Sequence, residues 1–128
     1  MPRPHVLVVD DDRQIAQAVS LRLQHAGFEL TAVTDGTECL ETLDQLTPQL
    51  IVMDVRMPGM DGITALRHIR SQPKFAHINI IMLSASLRDR RVALDAGAQM
   101  FLTKPYRSTE LMTAIEALTQ DQLTANLV

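Results

Sequence analysis

The sequence predicts an α/β protein with a parallel five-stranded sheet, doubly wound so that helices cover both faces. Three observations point there. Short apolar runs alternate with segments of helical spacing, five times along the chain. The first, third and fourth runs are almost continuously apolar, as in strands buried on both faces, and do not show the in-out alternation of a half-solvated sheet. The residues that close these runs (Asp10, Asp54, Ser84 and Lys104) are of types that do chemistry, and ligands of open parallel sheets bind beyond the carboxyl ends of the strands.

The first strand is His5-Val6-Leu7-Val8-Val9, closed by Asp10-Asp11-Asp12. Residues 13–26 have helical spacing, with Ile15, Ala16, Val19, Leu23 and Ala26 on one face and Gly27 as the stop. Phe28 to Thr34 read as the second strand. Asp35-Gly36 is a turn, and 37–46 form the second helix, closed by Pro48. Gln49 to Asp54 is the third strand. After the loop from Met57 to Gly62, a third helix is marked by Ile63, Leu66 and Ile69 and ended by Pro73. Ile78 to Leu83, closed by Ser84, is the fourth strand, and Val92, Ala93 and Ala96 mark a helix stopped by Gly97. Met100 to Thr103 is the fifth strand, ending at Lys104-Pro105. Ser108 is the expected N-cap of a last helix through Leu111, Ala114, Ile115 and Leu118. The domain is placed at 1–120, with 121–128 a tail or the start of a linker. Right-handed crossovers leave few topologies for such a chain, and the flavodoxin-like strand order 2-1-3-4-5 is the natural one.

Composition excludes several classes. The 128 residues suffice for one domain with a real core, and 46% hydrophobic with 21% charged residues is ordinary for a globular chain, which disfavours disorder. A net charge of −3 argues against direct nucleic-acid binding by this domain. The single cysteine, Cys39, excludes an internal disulfide framework and reads as a small buried hydrophobe. No apolar segment reaches membrane-spanning length and the N-terminus has no signal-peptide pattern, so the expected location is the cytoplasm. His5, His25, His68 and His77 are not spaced as metal pairs, and Met53, Met82 and Met100 read as core.

Strand order 2-1-3-4-5 makes strands one and three neighbours at the switch point, so Asp10, Asp11 and Asp54 converge there, flanked by Ser84 and Lys104. Three carboxylates that close require a cation, and an oxygen-only donor set favours a hard ion such as Mg²⁺. Phosphoryl transfer needs its equatorial charge neutralised, which a metal and a lysine supply, while a serine hydroxyl donates to a further oxygen. An aspartate can itself be the nucleophile, forming an acyl phosphate. Taken singly, Asp11 or Asp12 is a helix cap, Ser84 a strand-end hydroxyl and Lys104 a surface charge; their joint placement gives the reactive reading. Asp61-Gly62 reads as a turn and helix start.

These motifs, Val-Val-Asp10-Asp11-Asp12, Met53-Asp54-Val-Arg-Met-Pro58-Gly-Met-Asp61-Gly62, Leu83-Ser84-Ala85 and Lys104-Pro105, resemble the receiver domain of two-component response regulators over essentially the whole chain. The resemblance implies that Asp54 accepts a phosphoryl group from a phosphohistidine on a sensor kinase or a histidine phosphotransfer domain. It implies Mg²⁺ held by Asp11 and Asp54 with the Arg56 backbone carbonyl, and by Asp10 through a metal-bound water. Ser84 and Lys104 would bind phosphoryl oxygens, and Lys104-Pro105 would be cis. Phe101 falls at an aromatic switch position that moves with Ser84, and it lacks the hydroxyl of the common tyrosine. Arg56 and Ser86, two residues after Asp54 and Ser84, border the path of attacking water and would tune the lifetime of the phosphoryl group. The face made by helix four, strand five and helix five, with Arg88, Asp89, Arg90, Arg91, Asp95 and Arg107, would dock an output partner or a second copy, unless those charges are simply a solvated face. The chain either stands alone or is part of a longer regulator or hybrid kinase.

Other readings fit less well. A flavin electron carrier needs a phosphate-cradling loop after strand one, where three aspartates stand, and more aromatics than Phe28, Phe75, Phe101 and Tyr106. A Mg²⁺-dependent aspartyl-phosphate phosphatase would carry a second acid two residues after its nucleophile, where Arg56 stands. A receiver-like interaction module working without phosphorylation would not need the full acidic set. The sequence therefore predicts a signalling switch that catalyses only its own phosphoryl transfer and autodephosphorylation.

Overall fold

A computed structural model describes the backbone of residues 3–127 and the side chains of 3–120. Its sheet has five parallel strands, β1 (His5–Val9), β2 (Glu29–Val33), β3 (Leu50–Asp54), β4 (Asn79–Ser84) and β5 (Met100–Thr103), in the order β2-β1-β3-β4-β5. The connecting helices are α1 (Arg13–His25), α2 (Gly36–Leu43), α3 (Gly62–Arg70) and α4 (Arg88–Asp95), and α5 (Ser108–Leu127) closes the chain. The expected doubly wound topology is therefore present.

Side-chain alternation along the strands sorts the core into two layers. Leu7, Val9, Ile51, Met53, Ile80 and Met82 pack with Cys39 and Leu43 of α2, Leu66 and Ile69 of α3 and Ala93 of α4. The intervening residues Val6, Val8, Leu50, Val52, Ile81 and Leu83 pack with Ala16 and Leu23 of α1 and Leu111, Ala114 and Ile115 of α5. The central strands β1, β3 and β4 are almost wholly buried, which is why their sequences show no polar alternation, whereas the edge strands β2 and β5 are only partly covered. Met53 and Met82 are fully buried as expected, whereas Met100 is only partly covered.

Aspartates start three helices. Asp12 accepts from the Gln14 and Ile15 amides at 3.0 and 3.2 Å, Asp35 from Glu38 at 2.8 Å, and Asp61 from Thr64 at 2.8 Å. The expected cap at Ser108 falls one position late. Ser108 is already helical, and Glu110 reaches back to accept from the Arg107 amide at 3.2 Å, one half of a capping box. Ala26 and Val92, expected on buried faces, are exposed: Ala26 lies past the last turn of α1, and Val92 points off the stripe that Ala93 buries. The α5 backbone continues helical through residue 127, beyond the boundary expected at 120; the side chains of 121–128 lie outside the described residues. Among the described residues, no helix is long and apolar enough to cross a membrane.

Candidate functional site

Strand register brings the site together. Val9 lies beside Met53, so Asp10 and Asp54 leave their strands at the same level; Asp54 lies beside Leu83, and Ser84 beside Thr103, which precedes Lys104. Alternation then assigns sides. Asp10, Asp54 and Lys104 continue the series that faces α1 and α5, while Ser84 continues the series that faces α3 and α4. The sheet end thus carries two distinct polar regions, one on each face.

On the α1/α5 side, Asp54 is 6% exposed and Asp10 3%. Lys104 Nζ lies 2.6 Å from Asp54 Oδ1 and 3.8 Å from Asp10 Oδ2. The shorter contact is poorly aligned for a hydrogen bond despite its length, so it acts first as an ion pair. Carboxylate oxygens of Asp10, Asp11 and Asp54 lie within 4.8 Å of one another. Asp10 is steered by the Asp12 amide, which donates to it at 2.9 Å. Burial pushes the Asp54 carboxyl up to about 6, with the Asp10 and Asp11 charges adding and Lys104 opposing. Burial likewise raises Asp10. Burial works against the Lys104 ammonium, yet Asp54 and Asp10 outweigh it and the lysine ends above its usual value. One lysine cannot balance three carboxylates. That surplus of negative charge on hard oxygen donors fits a divalent cation.

Two backbone features adjoin the site. The bond between Lys104 and Pro105 is cis, as the resemblance implied. Gly62, at the start of α3, donates its amide to the Val55 carbonyl at 2.8 Å, and a Cβ there would lie 2.1 Å from the Asp54 carbonyl oxygen. Only glycine lets α3 begin this close to β3. The sequence reading of Asp61-Gly62 as a turn and helix start holds for Asp61 and understates Gly62.

On the α3/α4 side, the Ser84 hydroxyl donates to Asp89 Oδ2 at 2.6 Å and accepts from the Ser86 amide at 3.1 Å. Ser86 also turns the chain into α4, its hydroxyl accepting from the Arg88 amide at 3.3 Å. The Arg56 guanidinium grips the same Asp89 with both arms, Nε to Oδ2 at 3.0 Å and a terminal nitrogen to Oδ1 at 2.9 Å. Arg56 holds the Asp89 carboxyl below its usual range, with Ser84 assisting. Phe101 is half-buried against the α2/α3/α4 layer. Of the sequence-derived residues, then, Asp10, Asp11, Asp54 and Lys104 meet directly, while Ser84, Ser86 and the Arg56 side chain meet around Asp89. Sequence reasoning placed Asp89 only among the charges of a surface face. Its one legible signal was its position in the first turn of the helix that follows Ser84. The remaining notable groups are quiet: Cys39 is fully buried with its thiol pushed up to about 12, and His25, His68 and His77 are exposed.

The described geometry has relatives. The family model described as "Response regulator receiver domain" matches residues 6–116. The DNA-binding dual master transcriptional regulator RpaA of Synechocystis sp. is 34% identical over 90% of this chain, which covers 48% of RpaA. The chain thus spans about half the length of such curated relatives. Among solved structures, the receiver domain of Francisella response regulator 1452 is 34% identical with a TM-score of 0.86, over 94% of this chain and 99% of that one. The receiver domain of sensor histidine kinase PA1611 from Pseudomonas aeruginosa PAO1 is 30% identical with a TM-score of 0.83, over 91% and 97% of the two chains. That structure is described as having a magnesium ion coordinated in its active-site cleft.

Proposed function

The chain belongs to the response regulator receiver domain family, and from that premise we propose that Asp54 is its phosphoacceptor, taking a phosphoryl group from a phosphohistidine of a sensor kinase or histidine phosphotransfer domain. The observation that carries this reading is the buried Asp54 carboxylate, paired with Lys104 at 2.6 Å in the company of Asp10 and Asp11. In the transfer, an Asp54 oxygen forms a bond to phosphorus as the phosphorus–nitrogen bond of the donor breaks, and the imidazole leaves with the electron pair. Lys104 meets the charge of the phosphoryl oxygens, a task that suits an ammonium already raised by two carboxylates. Asp10, Asp11, Asp54 and the Arg56 backbone carbonyl would hold Mg²⁺, which when bound supplies further neutralisation of phosphoryl charge; the magnesium described for the PA1611 receiver supports this assignment. Ser84 would donate its hydroxyl proton to a phosphoryl oxygen, and Phe101 would follow its movement.

The reading is of a cytoplasmic switch, with the face of α4, β5 and α5 docking a second copy or an output partner. The net charge of −3 assigns this domain no direct contact with nucleic acid. Intact-mass measurement after incubation with acetyl phosphate and Mg²⁺ tests the core of the proposal. One added phosphoryl group on the wild type and none on Asp54→Ala supports it; no adduct on the wild type overturns it.

A further inference from the structure

We infer that Ser84, Asp89 and Arg56 form a latch for the resting state, in which Asp89 is a positioning residue that withholds the Ser84 hydroxyl from the acceptor site. This rests on the reading of Asp54 as phosphoacceptor and goes beyond it, because it assigns a task to a side chain outside the acidic cluster.

The argument starts from the hydrogen-bond inventory of a serine. Its hydroxyl has one proton to give. Here that proton goes to Asp89 Oδ2 at 2.6 Å, and the direction is fixed because an ionised carboxylate only accepts. Ser84 is 2% exposed, and the Ser86 amide holds its oxygen from the other side at 3.1 Å. The hydroxyl is therefore committed, on the α3/α4 side of the sheet end. A phosphoryl oxygen on Asp54 can receive the same proton only if Ser84 leaves Asp89.

Arg56 makes the release feasible. A carboxylate 9% exposed and stripped of its donor would be costly to leave unpaired. The Arg56 guanidinium donates to both Asp89 oxygens and its side chain is 70% exposed, so Asp89 keeps two charge-assisted bonds when Ser84 departs. Opening the latch thus exchanges one hydrogen bond for another and strands no charge. The latch also joins three segments. Arg56 lies two residues beyond Asp54 in the loop after β3, Ser84 ends β4, and Asp89 sits in the first turn of α4. Rearrangement at Ser84 therefore reaches α4 through the Asp89 carboxylate as well as through Ser86.

Beryllofluoride, with Mg²⁺ present, is a stable mimic of the phosphoryl group, and its affinity can be read by calorimetry on the intact chain. Asp89→Ala removes the competitor for the Ser84 proton and is expected to tighten beryllofluoride binding roughly tenfold, the factor that goes with freeing one charge-assisted hydrogen bond. Arg56→Ala is expected to weaken beryllofluoride binding, because Ser84 is then the remaining donor to Asp89 and its departure strands the carboxylate. In a Ser84→Ala background the Asp89→Ala change is expected to have no effect, because the residue acts through the Ser84 hydroxyl. An unchanged affinity in Asp89→Ala, or an equal change with and without Ser84, overturns the latch; the second outcome is what a merely structural Asp89 would give. If Asp89→Ala does not fold, Asp89→Asn takes its place, with the same dependence on Ser84. Failure of the wild type to bind beryllofluoride or take up phosphoryl at all would overturn the phosphoacceptor reading instead.

Discussion

Asp54 and Asp89 stand on opposite sides of the same sheet end, each beside a cation, and their carboxyl groups are driven in opposite directions. Burial pushes Asp54 up to about 6 although Lys104 touches it. Pairing with Arg56 pulls Asp89 down although it too is largely covered. The difference lies in what surrounds each pair. Asp54 shares its lysine with Asp10 and has the exposed Asp11 close by, at a strand end where Asp54 and Asp10 are themselves buried. Asp89 has a two-armed guanidinium to itself, reaching in from solvent, and a hydroxyl donor besides. The first arrangement stores uncompensated negative charge, which suits a site that must attract a cation and react. The second is satisfied, which suits a device that must hold one geometry until displaced.

The comparison can be broken most severely at Lys104. Lys104→Met removes the sole cation touching Asp54 among the described residues and leaves a buried carboxylate unpaired. The expected cost in metal-free buffer at neutral pH is about 3 kcal/mol, measured by urea denaturation. Acetyl phosphate uptake is expected to fall at least about a hundredfold, as when one preorganised electrostatic group is lost.

Next comes pH. A carboxyl group raised in the folded state binds its proton more tightly there than in the unfolded chain. Its contribution to stability is therefore present at low pH and is lost as pH rises from the ordinary 3.8 through about 6. With Asp54 the main source, metal-free protein loses roughly 2–3 kcal/mol across that window. Asp54→Asn is expected to flatten this part of the profile and to be more stable than the wild type at pH 7. A wild-type profile flat between pH 4 and 6.5 would contradict the burial argument.

The smallest effect belongs to the other carboxylate, with the opposite sign. Asp89, lowered in the folded state, contributes stability that is present above 3.8 and is lost as pH falls through its depressed value. Because Arg56 is largely in solvent, the pair is screened and Arg56→Ala should barely alter the neutral-pH melting temperature. It should trim the acid limb of the profile below pH 4 and leave the Asp54 window unchanged.

The two regions also differ in how far the sequence revealed them. Asp10, Asp54 and Lys104 were legible because each ends an unbroken apolar run, and strand order alone brings such ends together. Asp89 was not, because Arg88-Asp89-Arg90-Arg91 reads as a solvated charged turn of helix. Its burial depends on the angle at which α4 meets β4 and on an arginine thirty-three residues away, which no local pattern encodes. Gly62 was underread for a similar reason: its role is a close approach to the Asp54 carbonyl, visible only once α3 is placed. The displaced cap at Ser108 is a smaller case, in which a glutamate side chain took over at the helix start.

The central claim, that the uncompensated carboxylate at the end of β3 is the one that reacts, is tested most directly by finding where the phosphoryl group sits. Borohydride reduces an acyl phosphate to the alcohol with release of phosphate, so a phosphorylated aspartate becomes homoserine. Tandem mass spectrometry of the protein treated with acetyl phosphate, Mg²⁺ and then borohydride should place homoserine at position 54 and at no other aspartate. Homoserine at position 10 or 11, or a borohydride-resistant phosphate on Ser84, would contradict the account.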